Sequence, residues 1–321
     1  MQEPIEEFLK RPLEDLIKPS FSEISKGESE RHRIYSGALA EIVEHYWCGT
    51  KYGVNGQYPL NPHMSQWGDI CPHLKDEYRG HNIAALAVDH DGFIIDFDFN
   101  HNQVFDSSVE HAEARLIKRV FSLTQLQDSW NVASADNPAD KYSNALSRVT
   151  VYTTLESCTQ CTGIMMLGRV KRVVYLQTDP GMYHVGDLFH TLTARKDKPD
   201  YIMAPEPVSA TKIGMSLTED LDEAFKTFVE EKHTEQPFFI NKKGKELRTS
   251  SITSFLCTEA ALAPFSQAAQ AFRDMELEVP KYRPAKEGEA DGPISNKRAL
   301  REAQQFVEYA KKKGSRGTPH R

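Results

Sequence analysis

The spacing of apolar positions changes several times along the chain, and each change marks an element. Ile34, Ala38, Leu39, Ile42, Val43 and Tyr46 recur three and four residues apart, the period of an amphipathic helix. The spacing predicts a helix that ends near Cys48 and opens the main domain. From Gly49 to Gly80 the period gives way to glycine, proline, asparagine and aromatics, which reads as a long irregular loop, either a lid or a plain surface insertion. Two β-rich runs, Asn82 to Val88 and Phe93 to Phe99, flank His90-Asp91-Gly92 and predict a hairpin. Ser107 to Glu110 reads as a capping box, so a helix is expected from there to about Leu123, with His111 and Glu113 in its first turn. Residues 128–147 are polar and loop-like. A short strand, Val149 to Thr154, a short helix, Cys158 to Leu167, and a strand, Lys171 to Gln177, follow. A strand-helix-strand unit of this kind crosses over right-handed and leaves its helix on a face of the sheet.

Further along, Leu221 to Glu231, Thr258 to Met275 and Asn296 to Lys312 have helical patterns, and the proline- and charge-rich stretch between the last two reads as a linker. No internal repeat is visible.

Composition narrows the class without naming it. The chain has 321 residues, 39% hydrophobic and 26% charged, the make-up of an ordinary globular protein. No apolar run is long enough to span a membrane, and the acidic, proline-interrupted N-terminus lacks the layout of a secretion signal. A cytoplasmic location is therefore expected. Five cysteines, two of them in a C-x-x-C, suit a reducing compartment and metal use better than a disulfide framework. The net charge of −7 is uneven. Residues 296–321 carry eight Lys and Arg against Glu302 and Glu308, a basic tail that either contacts phosphates or is merely solvated.

The chemistry lies in two short segments. His111-Ala112-Glu113 is followed by Ser157-Cys158-Thr159-Gln160-Cys161. A catalytic zinc typically takes three His and Cys ligands and keeps one position for water, and His111, Cys158 and Cys161 supply such a set. Two cysteines three residues apart at a helix start present both sulfurs on one face, and the positive helix end favours their thiolates. Zn2+ would acidify a water at neutral pH, and Glu113 is placed to exchange its proton. A lone C-x-x-C is also half of a structural zinc site or a redox pair. The conjunction with His-x-Glu is the pattern of zinc nucleobase deaminases.

Residues 151–163, from Val151-Tyr152-Thr153-Thr154-Leu155-Glu156 through Cys161-Thr162-Gly163, with Arg169 to Tyr175 after them, resemble the cytidine deaminase-like superfamily, in particular its tRNA adenosine deaminase and guanine deaminase branches. The resemblance implies a three-layer α/β/α sandwich with a central mixed sheet of about five strands, and hydrolytic deamination of a nucleobase. It also implies substrate binding by Asn100, with Asn102 as runner-up. Either could instead be a turn asparagine.

Ser157 stands where the family has proline, the gap between His111 and Cys158 is long, and the helical C-terminal region has no counterpart. The corresponding division is an N-terminal extension, 1–28, a deaminase domain, 29–235, with insertions at 49–80 and 128–147, and a C-terminal extension, 236–321.

The expected partner is a nucleobase-containing substrate, leaning toward adenosine or cytidine in RNA, with a free nucleoside or base as the alternative. A non-catalytic zinc- and RNA-binding subunit is a further alternative, and a homodimer is open. Tyr46, Trp47, Tyr58 and Trp67 are candidates to stack on bases or to fill the core. Cys48 and Cys71 with His45, His63 and His73 form a weak candidate for a second metal site. Cys257 is expected in the core.

Overall fold

The computed structural model describes residues 10–12, 15, 23–47, 81–105, 107–126, 146–182, 184–194, 202–230, 238–240, 246–248, 251–284 and 293–313. Helix α1 (Lys26–His45) precedes the hairpin β1 (Ala84–Val88) and β2 (Ile94–Phe99). The one-turn α2 (Asn102–Phe105) and the longer α3 (Ala112–Leu126) lead to β3 (Thr150–Thr153), α4 (Thr159–Leu167) and β4 (Arg172–Tyr175). Then come α5 (Val185–Thr193), β5 (Glu206–Ser209) and α6 (Leu217–Glu230). A small separate hairpin, β6 (Phe238–Ile240) and β7 (Glu246–Arg248), precedes α7 (Ile252–Phe255), α8 (Glu259–Arg273) and α9 (Asn296–Lys313).

The main sheet has five strands in the order β2-β1-β3-β4-β5. β1 is antiparallel to both its neighbours, whereas β3, β4 and β5 run parallel. The turn between β1 and β2 needs Gly92, whose φ is 99°; the Asp89 carboxylate accepts the Gly92 and Phe93 N–H groups at 2.8 Å each. The mixed five-stranded sheet flanked by helices is the architecture that the resemblance implied.

Alternation along β2 separates the two helical layers. Asp96 and Asp98, fully buried, point to α3. Arg119 Nε donates to Asp96 Oδ2 at 2.5 Å and its NH1 to Asp98 Oδ2 at 2.7 Å, while Arg115 Nε pairs with Asp98 Oδ2 at 3.2 Å. Phe97 and Phe99 point the other way, with Phe97 edge-on to Phe306 of α9 and Phe99 to Tyr46 at the end of α1. One layer is therefore α3, α4 and α5; the other is α1, on which α8 and α9 pack. Phe265, Phe272, Ala303 and Val307 of those last two helices share one buried cluster with Ile34, Leu86 and Tyr152.

Several elements differ from the sequence expectation. α1 begins at Ser25, whose Oγ accepts the Glu28 N–H at 3.2 Å, well before the apolar period starts. Its first turns bury charge by long-range bonding. Glu30 accepts the Glu278 and Val279 N–H groups and the Asn296 side-chain amide. Arg31 donates to the carbonyls of Ile294 and Asp91. The predicted linker after α8 thus begins as chain folded against α1, where Gly27 leaves room for the Tyr282 ring.

The capping box at Ser107 does not form. Residues 108–109 make a turn, and α3 starts at Ala112, with the His111 carbonyl accepting the Arg115 N–H at 3.0 Å. Glu110 bonds Arg115 at 2.6 Å instead of a helix terminus. Helix α5, strand β5 and the second hairpin are elements that the sequence patterns above do not include. Tyr46 donates to the Ala310 and Lys311 carbonyls and Trp47 packs on Phe265, so both serve the core. Tyr58, Trp67, Cys48, Cys71, His63, His73, the 49–80 loop and nearly all of the 128–147 segment lie outside the described residues. Cys257 is buried, as expected. Among the described residues no helix is long and apolar enough to cross a membrane.

Removing one partner from a buried ionic cluster strands the other charges, at a typical cost of about 3–5 kcal/mol. Arg119→Ala should therefore lower unfolding free energy by about that much in urea titration. An unchanged midpoint would show that the cluster does not anchor α3.

Candidate metal centre and active-site cavity

The carboxyl ends of β3 and β4, the end of β2 and the start of β1 all lie at one edge of the sheet, where open α/β sheets bind ligands. Two helix starts meet there. His111 immediately precedes α3 and Glu113 sits in its first turn. Cys158 is the N-cap of α4 and Cys161 lies in its first turn. His111 Nδ1 is 3.3 Å from Cys158 Sγ and 3.5 Å from Cys161 Sγ, and the three ligand atoms lie within 4.8 Å of one another. Zinc bonded tetrahedrally to sulfur and imidazole nitrogen separates those atoms by about 3.6 Å. The donor set and its spacing therefore fit zinc, with Nδ1 as the imidazole ligand atom.

The electrostatics suit a cation as well. The Cys158 thiol is drawn down to about 4, chiefly by the hydrogen bond from Cys161 and further by His111, against the effect of burial. The bond that Cys161 gives to Cys158, together with burial, pushes its own thiol up. The bond with Cys158 raises His111. Burial, followed by the negative Cys158, raises Glu113. One thiolate is thus preformed, and the second thiol is poised to give up its proton to a metal.

Glu113 is 3% exposed. Its Oε1 accepts from Ser157 Oγ at 3.0 Å, and its Oε2 lies 3.4 Å from Cys161 Sγ. Asn100, 2% exposed, accepts the Asn102 N–H at 3.0 Å and the His81 N–H at 3.3 Å through Oδ1. The Oδ1 thus makes the bonds of a turn asparagine, and Nδ2 has no partner among the described residues.

All of these groups except Cys161 and Ser157 line a cavity of about 450 Å³. Its other walls come from Leu155 and Glu156 after β3, Asp179 to Met182 after β4, Phe225 of α6, and Ser251 to Thr253 at the start of α7. Phe225 and Ser251 to Thr253 are far from the motif in the chain and carry no metal-ligand or acid/base spacing, so no local signal marks them.

A second cluster, Glu156, His184 and Asp187, was not anticipated either. His184 Nδ1 lies 3.2 Å from Glu156 and 3.5 Å from Asp187, and Glu156 also accepts the Asp179 N–H at 3.1 Å. This network braces two walls of the cavity against each other.

The fold and the site together define a mixed α/β domain with a candidate zinc centre at one end of its sheet. Residues 63–177 match the family model described as the cytidine and deoxycytidylate deaminase zinc-binding region, which agrees with zinc as the metal that His111, Cys158 and Cys161 could hold.

Three solved structures show similarity. One, from work on A-to-I editing by tRNA:A34 deaminases at the wobble position of transfer RNA, is 23% identical with a TM-score of 0.28, over 45% of this chain and 90% of that one. A guanine deaminase from Nitrosomonas europaea is 18% identical with a TM-score of 0.26, over 41% and 66%. A diaminohydroxyphosphoribosylaminopyrimidine deaminase/5-amino-6-(5-phosphoribosylamino)uracil reductase from Thermotoga maritima is 20% identical with a TM-score of 0.28, over 50% and 39%. No curated protein matches the chain.

Because zinc binds neutral imidazole and thiolate, loading must displace the protons that Cys161 and the raised His111 hold, and zinc affinity should rise with pH across the neutral range. Calorimetric titration of the metal-free protein in two buffers of different ionisation heat checks this. Equal heats in both would contradict the assigned protonation states.

Proposed function

We propose that the chain is a hydrolytic deaminase that converts the amino group of a nucleobase to a carbonyl and releases ammonia. His111, Cys158 and Cys161 hold the metal and Glu113 moves the proton. The observation that carries the reading is the convergence of a three-ligand donor set and one buried carboxylate on a single cavity. Zinc, when bound, supplies a Lewis acid that acidifies the attacking water. The Glu113 carboxylate would carry one proton of the attacking water to the ring nitrogen and then, as the C–N bond breaks, the hydroxyl proton of the adduct to the departing amino group, so that the carbon ends as a carbonyl and ammonia leaves. A heteroaromatic ring takes up a nucleophile at low cost only if its nitrogen is protonated at the same time. Asn100 Nδ2, which has no partner among the described residues, would donate to an acceptor on the base. Leu155, Met182 and Phe225 offer apolar faces to a planar ring.

Within this class we place a free base or nucleoside ahead of a base in RNA. The described lining contains Glu113, Glu156 and Asp179 but no lysine or arginine, so nothing there complements a phosphate. The basic tail gives limited support to RNA binding, since Lys311 is already paired with Glu41 at 2.5 Å and with Glu308 at 3.0 Å. A non-catalytic subunit would have no use for a buried proton shuttle.

The test is ammonia release and mass change on incubation of zinc-loaded protein with free bases, nucleosides and total RNA. Turnover of a free compound is the expected result, turnover of RNA alone would favour the second substrate class, and none at all would overturn the enzymatic reading. Glu113→Ala should retain zinc and lose about 10²- to 10⁴-fold in turnover; wild-type rates in that variant would remove Glu113 from its role.

A further inference from the structure

The residue before Cys158 is serine where the family resemblance leads one to expect proline, and the structure gives its hydroxyl a specific partner. Ser157 is 4% exposed, and a hydroxyl at that depth needs an acceptor. The acceptor it meets is Glu113 Oε1, at 3.0 Å. The carbonyl of Ser157 is engaged separately, by Thr162 Oγ1 at 3.4 Å, so the hydroxyl is left to the carboxylate. Proline has no donor at this position.

A glutamate carboxylate turns about its last bond as a broad rotor with no staggered wells. Burial of Glu113 limits its translation but does not by itself choose the plane of its oxygens.

We propose that Ser157 is a positioning residue for the proton shuttle. Its hydroxyl holds Glu113 Oε1 and thereby fixes the carboxylate plane, leaving Oε2 beside the ligand cluster, 3.4 Å from Cys161 Sγ. This rests on the shuttle role proposed above for Glu113. The serine replaces the rigidity of a proline turn with a direct bond to the group that moves the proton.

Three substitutions in the zinc-loaded full chain test it. Hydrogen bonds to a charged group are worth about 10- to 100-fold in an equilibrium or rate. Ser157→Ala and Ser157→Pro should therefore each lower kcat by about that factor, with KM, zinc content and melting temperature held near wild type. Ser157→Thr, which keeps the hydroxyl, should retain most of kcat. In a Glu113→Asp background, where the shortened side chain no longer reaches, Ser157→Ala should add no further loss.

Wild-type kcat in both the Ala and the Pro variant would overturn the proposal. So would a fall in zinc content that parallels the fall in rate, because the residue would then serve the metal site alone. If the wild-type chain turns over no substrate, the shuttle reading fails by itself. The pairing is then decided by a crystal structure of the zinc-loaded protein, in which separation of Ser157 Oγ from Glu113 beyond hydrogen-bond distance overturns it and retention of the contact upholds it.

Discussion

Two arginines one helical turn apart on α3, Arg115 and Arg119, meet two aspartates one strand period apart on β2, Asp96 and Asp98, and the placement of the site depends on that match. A helix resting on a sheet through apolar contacts alone can slide with little penalty. Charges buried in pairs cannot, since a shift of one residue would leave ions in the interior without partners. The cluster therefore fixes where α3 begins relative to the sheet edge. That beginning is His111, with Glu113 two residues on. A further bond from Arg119 to the Phe97 carbonyl ties the same side chain to the strand backbone.

The cysteines reach the same edge by an independent route. The parallel pair β3 and β4 and the crossover through α4 put the start of that helix at the carboxyl end of β3. Positive helix ends then face each other across the ligand cluster, and anionic sulfur and carboxylate are stabilised there. The outer wall of the cavity comes from α6 and α7, so the C-terminal half of the chain contributes surface to the site as well as cover for the core. The brace formed by Glu156, His184 and Asp187 links the segment before Cys158 to the start of α5.

Local signals in the chain revealed the hairpin, the strand-helix-strand unit, the late helices and the four residues, His111, Glu113, Cys158 and Cys161, that the fold brings together. These are features whose cause is short-range: a period, a turn glycine, a ligand spacing. What escaped notice has long-range causes. The first turns of α1 look like a polar surface segment because Glu30 and Arg31 find their partners near residues 278 and 294. The start of α3 moved from Ser107 to Ala112 because Glu110 is committed to Arg115. Phe225 and Ser251 to Thr253 join the cavity only through tertiary packing. The hydroxyl of Ser157, a mere departure from pattern in the sequence, acquires a role only once Glu113 is placed beside it.

Zinc-edge X-ray absorption of the loaded protein separates a catalytic zinc from a structural one. A catalytic site should show one imidazole nitrogen, two sulfurs and one light scatterer that no protein side chain provides, with two sulfurs lost in a Cys158→Ala, Cys161→Ala double variant. A fourth ligand from a protein imidazole or thiolate, or a shell built from carboxylates and without sulfur, would contradict it.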